Sequence, residues 1–309
     1  MISVVVLFEH QYTDFAEYLL NLDRVFSELG EDYEIVVLAN GTGNFLRSLQ
    51  SRVKELGPRL HAFEFSTRVS QAVSINSILA VVKGDTLVIC GSYQQLTNQA
   101  LADCLRAMDE ATDMVSPWRQ ERVDPAFNQF QSSVFNKIVR SFVRTELHDF
   151  SCTVKVCRRS MLETVELYGN MFRFLPVLAM AKGFRVKEVP VEHYQERGKT
   201  GFYSFSEYIT RLLDIFTLFF NIRFSRKPLR FFSCIGLSII GIGLAILAVL
   251  FGQRLFFEIP IGNRPLLFVA LLLTMLGVLV SGAGLLGEII AFTNGRHKKE
   301  YVIEKDIDT

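Results

Sequence analysis

Two uncharged stretches constrain this chain more than anything else in it. Residues 231–253 (FFSCIGLSIIGIGLAILAVLFGQ) and 265–287 (PLLFVALLLTMLGVLVSGAGLLG) run for 23 residues each without one Asp, Glu, Lys or Arg. As a helix each would reach about 34 Å at 1.5 Å per residue, enough for a hydrocarbon core of ~30 Å. A core helix of a soluble protein rarely stays apolar on every side for so long. The pattern predicts a hairpin of two transmembrane helices. Arg223, Arg226, Lys227 and Arg230 precede the first span, and Arg296, Lys298 and Lys299 follow the second. The loop between them offers Arg254 and Arg264 against Glu258. The excess of cations outside the loop predicts that both ends of the chain face the cytoplasm of an inner or plasma membrane. Gly277, Ser281, Gly284 and Gly287 would let helices approach closely, within the hairpin or between subunits. Glu288, at the inner end of the second span, is expected at the interface.

The first two-thirds of the chain reads differently. ISVVVLF at 2–8 is a buried strand, and Phe15, Tyr18, Leu19, Leu22, Val25, Phe26 and Leu29 then recur at helical spacing. YEIVVLA at 33–39 is a second strand, stopped by the turn signal Asn40-Gly41-Thr42-Gly43. Phe45, Leu46, Leu49, Val53 and Leu56 mark a helix. A strand near 59–65, a helix over about 69–82 and the strand TLVIC at 86–90 follow. Such alternation predicts an α/β fold: a mainly parallel, Rossmann-like sheet with helices on both faces. Ligands of these sheets bind beyond the C-terminal strand ends, here just after Phe8, Ala39 and Cys90. After residue 113 the pattern changes. Arg119 and Arg122 flank a polar stretch, and a helix follows with Phe127, Phe130, Val134, Phe135, Ile138, Val139 and Phe142 on its apolar side. TVKVC at 153–157 and FRVKEVPV at 184–191 read as added strands, and 203–222 as an interfacial helix or an ordinary core helix. The expected division is a domain over 1–202, an amphipathic helix and basic linker over 203–230, the hairpin within 231–292, and a tail over 293–309.

A formal charge of +1, with no Lys/Arg block before the spans, gives no footprint for nucleic acid. The run after Met1 is too short for a secretory signal and lacks a basic flank. The five cysteines, Cys90, Cys104, Cys152, Cys157 and Cys234, show no Cys-x-x-Cys pair. They read as reduced cytosolic thiols, with Cys152 and Cys157 as metal ligands the alternative.

Several segments carry a resemblance. ISVVVLF and DYEIVVLANGT, KGDTLVICGSYQQ, WRQERVD at 118–124, HDFSCTVKVCRR at 148–159 and RFLPVLAMAKGFRVKEVPVEH at 173–193 follow one another as in the membrane-anchored glycosyltransferases of family two. The branch they most resemble is the dolichyl- or undecaprenyl-phosphate sugar synthases. The resemblance covers nearly the whole chain, including both spans and the basic tail after GEII. It implies a GT-A fold, a nucleotide-sugar donor across the strand ends, and a divalent Mg or Mn ion bridging the diphosphate to an Asp-x-Asp motif. A polyprenyl phosphate presented from the bilayer then attacks the sugar, and a homo-oligomer or a partner glycosyltransferase is a further expected companion. Charge builds on the leaving diphosphate, so a metal or arginine must stabilise it.

The departures from the pattern fall on the chemistry. Where the family has Pro-x-Tyr-Asn-Glu stands Leu7-Phe8-Glu9-His10-Gln11. The paired aspartates after the second strand are Ala39-Asn40. Asp-x-Asp aligns with Gly91-Ser92-Tyr93, in a register fixed by Gly84-Asp85 and Gln95, and the following Pro-Pro is Thr97-Asn98. Hard cations prefer carboxylates and water, and Gly91 and Tyr93 supply no carboxylate, so no metal ligand set is expected. The donor-side candidates are Glu9, Asn40, Gly91, Tyr93, Gln95, Arg119 and Arg122. Those on the acceptor-phosphate side are Asp149, Lys155, Arg158, Arg197 and Lys199. Glu9 could move a ligand into the gap, and Asp149 could simply cap its turn. His148 and His193 read as structural. Two functions fit. One is a divergent transferase in which Arg and Lys replace the metal. The other is an inactive pseudo-glycosyltransferase serving as partner, regulator or lipid-phosphate binder.

Overall fold

The structure, a computed structural model, describes residues 1–9, 14–41, 54–120, 126–143, 145–192, 194, 209–210, 212–218, 228–257, 260 and 265–295. The helix expected from Phe45 to Leu56 lies outside the described residues up to Val53, and its end falls in a 3-10 turn over Lys54–Arg59; most of the 203–222 segment and the tail from residue 296 also lie outside them. Two compact units divide the chain, Met1–Leu218 and Phe219–Glu300.

In the first unit β1 (Ile2–Phe8) leads to α1 (Phe15–Glu28), β2 (Tyr33–Asn40), β3 (Leu60–Phe65), α2 (Gln71–Ile78) and β4 (Thr86–Cys90). Then come α3 (Asn98–Arg106), β5 (Met114–Gln120), α4 (Ala126–Val143), β6 (Lys155–Arg158), α5 (Arg159–Thr164), α6 (Leu175–Ala181) and β7 (Val186–Glu192). The sheet runs β3-β2-β1-β4-β6-β5-β7. It is parallel except for β6, which runs antiparallel to β4 and to β5. The expected mainly parallel α/β sheet is what forms. All seven residues of β1 and all eight of β2 are buried, as an unbroken apolar run requires in a sheet covered on both faces.

Alternate strand positions share a face. Val4, Val6 and Phe8 of β1, Ile35, Val37 and Ala39 of β2, and Val88 and Cys90 of β4 join one core with Phe15, Leu19, Leu22 and Phe26 of α1 and Leu101 and Cys104 of α3. Burying each large side chain is worth about 1.5–3 kcal/mol. Asp14 starts α1 as its N-cap, accepting from the Ala16 and Glu17 amides at 3.1 and 3.5 Å.

Two sequence readings change. The stretch after residue 113, where no element was expected, forms β5 up to Gln120, with Arg119 only 3% exposed. The apolar side of α4 is split: Val139 is buried, whereas Phe130 and Val134 face outward.

The second unit holds α7 (Pro228–Phe257) and α8 (Pro265–Gly295), both long and apolar enough to cross a membrane. Only 17% and 11% of their most apolar windows are buried, which a core helix would not show. The small residues close the hairpin on itself. A Cβ on Gly277 would lie 2.6 Å from the Gly236 carbonyl oxygen, and one on Gly243 would lie 2.9 Å from that of Ala270. The Glu288 carboxylate accepts from the Leu229 amide at 3.2 Å, capping the first turn of α7 with an anion where the helix dipole favours one.

Candidate functional site

Because β1 lies between β2 and β4, the three strand ends meet at one edge. Phe8 pairs with Ala39, and Val6 pairs with Cys90. Glu9 therefore follows beside Asn40, and Gly91 falls level with Leu7, so the three lie at the C-terminal edge expected for a ligand crevice.

Asn40 is a structural clamp. It is 6% exposed, its Nδ2 donates to the Val69 carbonyl at 2.7 Å, and its Oδ1 accepts from the Val69 amide at 2.8 Å. An ionised aspartate could do only the second of these. The clamp seats the neighbouring Arg68 against Gly41, where a Cβ would meet the Arg68 backbone nitrogen at 3.1 Å. Gly41 also sits at φ +66°, which suits glycine. Sequence reasoning missed Arg68, whose placement at the β2 tip depends on a contact across 29 residues.

Gln95 joins three segments. Its Oε1 accepts from the Thr153 amide at 2.8 Å, from the Thr153 hydroxyl at 2.6 Å and from the Cys152 thiol at 3.8 Å. Its Nε2 donates to the Tyr93 hydroxyl at 3.0 Å, and its carbonyl accepts from the Tyr194 amide at 3.1 Å. The turn after β4, the segment before β6 and the exit from β7 are thereby tied together. The same arrangement closes position 91, where a Cβ would lie 2.9 Å from the Thr153 Oγ1.

A Mg or Mn ion does not fit this donor set. Gly91 brings no side chain and no room for one. Ser92 and Tyr93 bring neutral hydroxyls, and the Gln95 side-chain oxygen is already occupied by three donors. Among the described residues no three His, Cys, Asp or Glu side chains converge as metal ligands. Cys152 and Cys157 are no exception. Burial pushes the Cys157 thiol up to about 12, as it does those of Cys90 and Cys104, and it also raises Cys152. Protonated thiols make poor ligands.

The basic candidates separate. Arg119 forms a bidentate ion pair with Asp149, Nε to Oδ2 at 2.7 Å and Nη2 to Oδ1 at 3.2 Å, with both side chains under 5% exposed. Asp149 also caps its own turn, accepting from the Ser151 and Cys152 amides. The pair holds the 148–152 loop onto β5. Glu188 adds to it, receiving the His148 amide at 2.6 Å and contacting His148 Nδ1 at 2.7 Å, while the His148 ring stacks on Trp118. Lys155 is fully buried and donates to the Ser116 hydroxyl at 3.0 Å. Burial holds its ammonium below the usual lysine range. Arg158 pairs with Thr86 at the opposite end of β4 and donates to the carbonyls of Thr112 and Asp109, so it lies away from the strand-end crevice. Arg122, His193, Arg197 and Lys199 lie outside the described residues.

Residues 15–166 match the family described as Glycosyl transferase family 2. Over 283 residues the chain is 24% identical to a dodecaprenyl-phosphate galacturonate synthase of Rhizobium johnstonii, covering 89% of this chain and 84% of that one. Over 308 residues it is 25% identical to an undecaprenyl-phosphate 4-deoxy-4-formamido-L-arabinose transferase of Klebsiella pneumoniae, covering 98% and 93%. Among solved structures, glucosyl-3-phosphoglycerate synthase from Mycobacterium tuberculosis superposes with a TM-score of 0.51 at 12% identity, over 72% of this chain and 78% of that one. That likeness is one of fold, and the fold is GT-A.

Proposed function

We propose that this chain, which belongs to glycosyl transferase family 2 through residues 15–166, transfers a sugar from a nucleotide-sugar donor to a polyprenyl phosphate at a membrane. One observation carries this: the arabinose transferase aligns with 98% of the chain, through the sheet and both long apolar helices alike. A shared fold alone would not extend into the membrane spans.

In the reaction a phosphate oxygen of the lipid attacks the anomeric carbon. The bond from that carbon to the nucleoside diphosphate breaks, and its electron pair leaves with the diphosphate. A phosphate monoester with its second pKa near ~6 is largely ionised at neutral pH, so no side chain has to remove a proton. The protein's tasks are positioning and positive charge for the leaving group. With no carboxylate pair at the tip of β4 to hold a cation, that charge falls to side chains. Arg68, seated by the Asn40 clamp, is the leading donor-side candidate, beside Glu9, Gly91 and Gln95, whereas Tyr93 lines a cavity against α1. Arg119 acts through Asp149 as a positioning residue. Arg122 joins the donor side, and Arg197 and Lys199 the lipid phosphate, on the strength of the sequence pattern. The cations flanking the spans support a cytoplasmic site. A second copy of the chain as partner would be read from its mass in detergent.

The test uses the full chain in detergent with undecaprenyl phosphate and a panel of UDP-, GDP- and CDP-sugars, followed by mass spectrometry of the extracted lipid. A glycosylated undecaprenyl phosphate from at least one donor is the expected result. Unmodified lipid with every donor would reduce the chain to a non-catalytic relative.

A further inference from the structure

The family pattern is broken at Tyr93, Thr97 and Asn98, and all three side chains line one cavity of about 610 Å³ between α1 and the turn after β4. Its size lies in the ~300–1,000 Å³ range of small-molecule sites. Tyr93 replaces one metal aspartate, and Thr97 and Asn98 replace the Pro-Pro that follows, so departures at and just after the lost motif wall a different pocket.

Three amides on its lining form a network. Asn21 and Asn98 bond reciprocally, Nδ2 to Oδ1, at 2.9 and 3.1 Å. Gln94 Nε2 donates to Asn98 Oδ1 and to the Leu96 carbonyl, both at 3.0 Å, and Gln94 Oε1 accepts from Asn21 Nδ2 at 3.3 Å. Counting donors and lone pairs, these bonds leave one N–H on Asn98 and one acceptor site each on Asn21 and Gln94. A set of mixed donors and acceptors, fixed before any ligand arrives, suits hydroxyl groups, each of which donates and accepts. Its preorganisation also lowers the entropy cost of binding.

The charges point the same way. Among the described residues of the lining Asp14 and Glu17 outnumber Arg24, so a phosphate or diphosphate meets net repulsion while a neutral hydroxyl can donate to the Glu17 carboxylate. Tyr93 and Tyr194 supply ring surface for the C–H face of a sugar. Both are tied to Gln95, one through its hydroxyl and one through its backbone amide.

We propose that this cavity is a binding site for a neutral saccharide, separate from the nucleotide crevice at the strand ends. Gln95 joins the two, since it holds Tyr93 on one side and Thr153 beside Gly91 on the other.

The experiment is saturation-transfer NMR on the full chain in a zwitterionic detergent, because a maltoside would itself occupy the site. The probes are methyl α-D-glucopyranoside, methyl α-D-galactopyranoside and methyl β-L-arabinopyranoside. At least one should receive saturation, and excess UDP should not displace it. In Asn21→Ala and Asn98→Ala its affinity should fall about tenfold, the loss of roughly one hydrogen bond. Gln99→Ala, which removes an exposed side chain bonded only to Asp103 among the bonds described, should bind as the parent does. Silence from all three sugars, displacement by UDP, or undiminished binding in Asn98→Ala would each overturn the proposal.

Discussion

Replacing Asn40 by aspartate restores the residue type that the family pattern carries at the tip of β2, and it should damage this protein. The Asn40 amide gives one hydrogen bond and takes one, both with Val69, at 6% exposure. An aspartate keeps the bond from the Val69 amide but sets a carboxylate oxygen against the Val69 carbonyl oxygen, now 2.7 Å from the Asn40 nitrogen. A buried carbonyl left without its donor costs about 1–3 kcal/mol, and a facing charge adds to that. For a domain of this size, that range corresponds to a fall in melting temperature of about 2–12 °C. The loss should shrink in acid. Once protonated, the introduced carboxyl can donate again, so its folded pKa is raised above the ~3.9 of the unfolded chain. The folded variant then binds more protons than the unfolded one, and its stability deficit grows as pH rises through that window. The assay is thermal unfolding of the full chain in detergent, followed by the single tryptophan, Trp118, at several pH values. An Asn40→Asp protein that melts at or above the parent temperature at neutral pH would refute the clamp.

Gly91→Asp should likewise lose stability and gain no Mn affinity, because its Cβ would lie 2.9 Å from a Thr153 hydroxyl held by Gln95; tight Mn binding in calorimetry would contradict this. Lys155→Met should be at least as stable as the parent at neutral pH, since burial disfavours the ammonium. The lysine's depressed folded pKa means that the unfolded state binds more protons below ~10.4, so parent stability should climb with alkaline pH and the variant should lose that climb. In the hairpin, Gly277→Leu should weaken the pairing of α7 and α8, where a Cβ already meets Ile240 Cγ1 at 2.6 Å, while Gly241→Leu, with open space around it, should not. Cysteine cross-linking across the two helices would read the difference.

β1, β2, β4 and the two spans were legible because they are largely continuous apolar runs, and such a run has few folds open to it. β5 was not, because Ser116-Pro117-Trp118-Arg119 reads as polar and broken. What buries Arg119 is Asp149, 30 residues further on, and local pattern does not reveal a partner at that distance. Lys155 looked like a phosphate ligand for the same reason; its alternation in TVKVC is visible, but the Ser116 hydroxyl that receives it is not. The outward face of α4 shows the converse, since helical spacing gathers Phe130 with Val139 yet only Val139 is covered. The loss of the acidic motif was plain in the sequence. That Thr153 and Gln95 occupy its place, and that Asn40 spends its amide on Val69, required the packing.

The proposed transfer needs a nucleotide crevice whose positive charge comes from side chains. Calorimetry of the donor that supports transfer, carried out on the full chain once with EDTA and once with Mn, tests this most directly. Equal affinity in the two titrations, falling together in Arg68→Ala, is the predicted result. Binding that appears only when Mn is present, and that ignores the loss of Arg68, would contradict it.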